Sequence, residues 1–130
     1  MGRRRQWRDG TGTLRVGGQG PPVPVEIAAS YGTRRRGLLG RDGVDGAMLL
    51  TPCGSVHSFR MRFPLDIAYL TADLTVLAVQ LLPPGRLARP RFRARHVLEA
   101  EAGAMEGWGI RAGSRLAIVS EGFEGSEQSA

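Results

Sequence analysis

Lysine is absent from this chain. All eighteen basic side chains are arginine, against twelve aspartates and glutamates, leaving a formal charge of +6. Exclusive arginine reads as the coding bias of a GC-rich genome, while the surplus charge favours acidic partners by long-range attraction. A single cysteine excludes an internal disulfide and agrees with a reducing compartment. Aromatic residues make up only 6% of the chain. The arginines fall in scattered groups at 3–5, 34–36 and 86–95 without a pattern of interleaved stacking aromatics, which argues against nucleic-acid binding. No apolar run approaches the roughly 20 residues of a membrane helix, and no apolar core follows the basic N-terminus as in a secretory signal. The expectation is a cytoplasmic protein with no membrane partner.

What is present fits one domain of 130 residues with an ordinary 42% of hydrophobic and 23% of charged side chains. Nineteen glycines and eight prolines favour short strands and frequent turns over long helices. Residues 1–11 read as a flexible basic N-terminus, 12–121 as a single β-domain and 122–130 as a flexible tail. Within the domain, alternation predicts strands at Thr13–Val16 and Val23–Ile27. Ser30 caps one or two helical turns that reach Gly40. Short strands follow at 47–51, 65–70, 96–100 and 116–119. The run Thr75–Leu82 is almost wholly apolar, which predicts a central strand covered on both faces. Trp108, between two glycines, is expected to anchor a tight or single-helical turn. Strands at this spacing predict a mainly β protein, a compact antiparallel β-sandwich or small barrel with one short helix.

The stretch Cys53–Leu70 concentrates the reactive side chains. Read with a period of two, His57, Phe59, Met61 and Phe63 form an apolar face, opposite Ser58, Arg60 and Arg62, until Pro64 interrupts the ladder. Arg36, Cys53, His57, Arg60, Arg62 and Asp66 are the candidate binding residues. The cations suit a small polar or anionic ligand, and Asp66 suits a buried pair with a guanidinium from Arg36, Arg60 or Arg62. An alternative is a small hydrolase or transferase using Cys53, His57 and Asp66. A further alternative is a protein-interaction module using the basic face. Cys53, His57, His96 and either Asp66 or Glu99 have the donor atoms of a zinc site but match no recognised spacing, so neither metal nor cofactor is expected. The glycines at 37, 40, 43 and 46 lack the phosphate-binding patterns.

Several strings occur together and in order: RGLLGR at 36–41, MLL at 48–50, HSFRMRFPLDIAYL at 57–70, VLE at 97–99 and GI at 109–110. In these the chain resembles domain of unknown function 192, a bacterial and archaeal family, from about Val23 to Val119. The resemblance implies a compact β-domain of sandwich type with a short helix near the RGLLGR segment, and it implies no reaction. Family members commonly show Phe-Trp-Met-Lys-Asn-Thr where this chain has Phe59-Arg60-Met61-Arg62-Phe63.

Overall fold

A computed structural model describes residues 6–121. Seven strands form one sheet: β1 (Gly10–Val16), β2 (Val23–Ala28), β3 (Ala47–Leu50), β4 (Leu65–Leu70), β5 (Val76–Leu82), β6 (His96–Glu101) and β7 (Leu116–Glu121). Their order across the sheet is β5-β4-β6-β3-β2-β1-β7. The mainly β architecture is therefore as the sequence predicts. One feature goes beyond the expected antiparallel arrangement: β2 and β3 run parallel, joined through the short helix α1 (Tyr31–Arg36), because a parallel pair needs a crossover and cannot be closed by a hairpin. The sheet curls so that its outer strands meet at one end. There Val76 donates to the Ser114 carbonyl and Leu116 to that of Leu74, both at 2.8–2.9 Å. Beyond this junction the two edges separate and the sheet is not closed.

All seven strands contribute to the core inside the curl, among them Leu14, Val25, Leu49, Leu70, Leu98 and Ile118. The short helix α2 (Ala104–Trp108) adds Met105 to it, and Trp108 packs at its margin, partly buried rather than fully enclosed. A second apolar layer lies on the opposite sheet face. Here Met48, Ile67, Tyr69 and Val97 are covered by Leu38, Val56, Met61 and Phe63 from the connecting segments. Strands β3 and β4 are consequently buried along their whole length.

Two expectations are corrected. The apolar run Thr75–Leu82 forms β5, which is an edge strand and not a central one, with Leu81 56% exposed. Hydrophobicity alone does not distinguish a strand with two neighbours from a strand with one. The second correction concerns His57–Phe63, which is not a strand. The chain turns at Ser58–Met61, where the Met61 N–H donates to the Ser58 carbonyl and Arg60 takes a left-handed φ of 65°. Met61 and Phe63 are buried as expected, but His57 and Phe59 are exposed and Ser58 is fully buried. Ser58 is held because its hydroxyl donates to the Pro83 carbonyl and accepts from the Arg86 N–H at 2.8 Å, so polar satisfaction overrides the apparent alternation.

The helix α1 is shorter than its sequence signal. Ser30 caps it as expected, its hydroxyl accepting from the Thr33 N–H. The helix ends at Gly37, whose positive φ of 46° turns the chain so that Leu38 drops into the outer apolar layer. Ahead of β1, the Asp9 carboxylate accepts from the backbone N–H groups of Ala29 and Ser30 and from the Thr33 hydroxyl. This fixes the entry to α1 from a second direction.

Candidate functional site

On the outer sheet face the chain leaves a cavity of about 140 Å³. Its walls come from three elements. The end of α1 and the following turn bring Arg34, Arg36 and Leu38, the segment after β3 brings Cys53 and His57, and β6 brings Glu99. Glu99 lies between Met48 of β3 and Ile67 of β4 in register, so its carboxyl rises from an apolar row of the sheet. It is 4% exposed and makes no hydrogen bond or ion pair among the described residues. Burial without a partner pushes its pKa up to about 7. Gly37 forms one wall, where an added Cβ would stand 3.9 Å from Glu99 Oε1.

The rest of the lining is less strained. Cys53 donates its thiol proton to the Ser55 carbonyl at 3.1 Å. Burial raises its pKa above the ordinary thiol value, more than the Ser55 contact and Arg34 lower it, so the sulfur is a neutral thiol at neutral pH. His57 stacks on Phe59 at 4.8 Å with the rings 19° from parallel, and its Nδ1 accepts from the Phe59 N–H. Arg34 donates through Nη1 to the Pro52 carbonyl at 3.1 Å, while its Nε is buried without a partner. Arg36 forms no ion pair among the described residues and stands exposed at the cavity.

The candidate residues are thus divided by the fold. Arg36, Cys53 and His57 line this cavity, whereas Arg60 and Arg62 do not. Arg60 occupies the turn, and Arg62 pairs with Asp42 at 2.9 Å on the open surface, where such a pair contributes little. Asp66 is on the other face. It shares the side of Ala68 and Leu70, is 8% exposed, and accepts from the N–H groups of Gly103 (2.8 Å) and Met105 (3.1 Å). Its partner is the start of α2, not an arginine. The Cys53–His57–Asp66 grouping is therefore not assembled. His96 is also apart, bonded to Thr51 and packed edge-on to Trp7 in a second cavity of about 320 Å³. Among the described residues no three His, Cys, Asp or Glu side chains cluster as metal ligands would.

The sequence marks Glu99 by one feature, a carboxylate set in the apolar run VLEA. Phe92, between Arg91 and Arg93, is an aromatic interleaved with the arginines and is fully exposed, against the expectation of none.

These features define a mainly β domain built on one curled sheet, with a small acid-floored cavity on its outer face. The chain belongs to the family DUF192, described as "Uncharacterized ACR, COG1430", whose model matches residues 12–118. It is similar to UPF0127 protein PF1050 of Pyrococcus furiosus, 31% identical over 99 residues, covering 72% of this chain and 85% of that one. UPF0127 protein PH1112 of Pyrococcus horikoshii is 30% identical over 87 residues, 63% of this chain and 76% of the relative. Among solved structures, a candidate transcription regulator from Sinorhizobium meliloti 1021 superposes with a TM-score of 0.74 at 22% identity, covering 87% of this chain and 97% of that one. A protein of unknown function from Novosphingobium aromaticivorans DSM 12444 gives 0.69 at 21%, covering 81% and 83%. At these identities the two structures establish the shared fold.

Proposed function

We propose that the protein is a non-catalytic binding module whose ligand, small and polar or anionic, enters the Glu99 cavity. The observation that carries this reading is the Glu99 carboxyl itself. A carboxyl buried among apolar side chains without a hydrogen bond costs several kcal/mol unless something satisfies it. A structural role would supply a partner, as Asp66 has in the N–H groups of α2. Glu99 instead lines a cavity together with the unpaired Arg36, so a ligand can complete both. The volume matches a ligand of about six non-hydrogen atoms, since a cavity near 150 Å³ accommodates benzene. Catalysis by the thiol finds no support in the geometry, because Cys53 is neutral and bonded to a backbone carbonyl.

The test is amide NMR of the full chain against a library of polar fragments. Shifts confined to Gly37, Cys53–His57 and Glu99 are expected, together with their loss in Glu99→Leu. The same variant should raise the melting temperature, because it replaces an unsatisfied carboxyl by an apolar side chain. Shifts that map instead to Trp7 and His96, or a Glu99→Leu variant that binds like the wild type, would remove the Glu99 cavity as the site.

A further inference from the structure

The cavity's lining also restricts the class of ligand, and this step rests on reading the cavity as a binding site. We infer that the ligand is a short aliphatic carboxylic acid, taken up with one proton shared between its carboxylate and Glu99, with Arg36 providing the compensating charge. Three features converge on that chemistry.

The first is charge. Around the cavity that Glu99 lines, the α1 end and the turn after it place Arg34 and Arg36, and the segment after β3 places Cys53 and His57. On the neighbouring strands, β3 and β4 place Met48 and Ile67 beside it, with the Tyr69 hydroxyl turned away to donate to the Arg89 carbonyl. On β2, across Met48, Glu26 is paired with Arg41 at 2.7 Å. The cavity lining therefore carries two guanidinium groups and one carboxyl, a balance that repels an ammonium ligand and attracts an anion.

The second feature is the donor set. Arg34 is buried further and engaged through Nη1 with the Pro52 carbonyl, which leaves Arg36 as the exposed cationic donor, and an ionised Glu99 can only accept. A doubly charged oxyanion would be left short of donors. A single carboxylate is satisfied once Glu99 holds a proton and donates O–H to it, a short charge-assisted bond. The raised proton affinity that burial gives Glu99 brings this within reach near neutral pH. The third feature is the apolar wall of Leu38, Leu50, Val56 and Met61, which suits a hydrocarbon tail and offers nothing to a second polar end.

The proton balance is explicit. Above its titration Glu99 is a carboxylate, and binding of the ligand carboxylate consumes one proton from solution. Isothermal titration of the full chain with butyrate, butyramide and propylammonium, in buffers of different ionisation enthalpy at pH 6, 7 and 8, reads that proton directly. Butyrate is expected to bind with uptake of about one proton at pH 8 and about fivefold more weakly at pH 8 than at pH 7, as one linked proton on a group titrating near 7 requires. Glu99→Gln should flatten this dependence, and Arg36→Gln should weaken butyrate severalfold at both values without changing the proton count. Butyrate binding with no proton uptake in the wild type, or a preference for propylammonium, would overturn the inference. If butyramide alone shifts the amides of Gly37, Cys53 and Glu99, the binding-site reading survives and the carboxylic-acid inference fails. If none of the three ligands perturbs them at pH 6, both fall.

Discussion

Single residues decide the shape of the segment in which the reactive side chains are concentrated. Ser58 is fully buried at the turn that redirects the chain after His57. Its backbone N–H donates to Arg86 and its carbonyl accepts from Gly85 and Met61, while its hydroxyl joins Pro83 to Arg86. One small polar side chain thus fastens the 83–86 loop to the cavity wall. Ser58→Ala leaves the Arg86 N–H and Pro83 carbonyl each short of a bond, and the expected loss is about 1–3 kcal/mol in urea unfolding. A change below 0.5 kcal/mol would show that solvent substitutes for the hydroxyl. Arg60, two residues on, adopts its left-handed φ without the freedom of glycine, at a cost on the order of 1–2 kcal/mol. No alternation pattern reveals such a turn, since the code for it is a buried serine and a strained arginine.

At the level of elements, α2 depends on a group that comes from the centre of the sheet. The helix begins at Gly103 with no side-chain cap of its own. Asp66 of β4 fills that role from across the fold, binding two of the N–H groups that a helix start leaves without partners. Asp66 is buried and paired as its sequence setting predicts, but its partner is the Gly103–Met105 backbone and not an arginine, because the arginines are near only in sequence. Asp66→Ala should therefore cost about 1–2 kcal/mol, the scale of a lost cap. Arg36→Met should leave stability almost unchanged, and the double variant should show simple additivity in thermal or urea melts. A non-additive pair would restore an Asp66–Arg36 contact and contradict the geometry. In the sheet β5 has β4 as its one neighbouring strand, which leaves Leu81 in solvent.

For the whole molecule, the carboxylates pull stability in opposite directions with pH. Asp9, which burial alone would raise, is held below its ordinary pKa by hydrogen bonds from Ser30, Ala29 and Thr33. Glu26 is lowered by its bonds to Arg41. Both stabilise the fold above the unfolded-state value near 4, and that contribution is lost as pH falls. Glu99 acts the other way. Its raised pKa means that the folded state binds the proton more tightly, so its effect is absent below about pH 4.5 and becomes destabilising as pH rises toward 7. The shift from 4.5 to about 7 corresponds to about 3 kcal/mol. Calorimetric scans of the ligand-free protein should show a melting temperature falling on the order of 10 °C between pH 5 and pH 8. Glu99→Gln should be flat over that range, and a wild-type profile as flat as the variant's would mean that water or a rearranged arginine satisfies the carboxyl.

The sequence by itself determined what depends on neighbours along the chain. The short strands, the Ser30 cap, the mainly β character and the family likeness were all legible, because alternation, turn residues and caps act over a few positions. Arg36, Cys53 and His57 stand out in the sequence as charged or reactive side chains, but the cavity that all three line does not. Only the tertiary structure decided which strand is at the edge, which face Asp66 occupies, and that Glu99 shares a cavity with Arg34 and Arg36 across more than sixty residues of chain. These are consequences of strand order and register. A one-residue difference in position moves a side chain to the opposite face, which is why Asp66 and Ile67 serve different layers and why the acid that lines the cavity is Glu99.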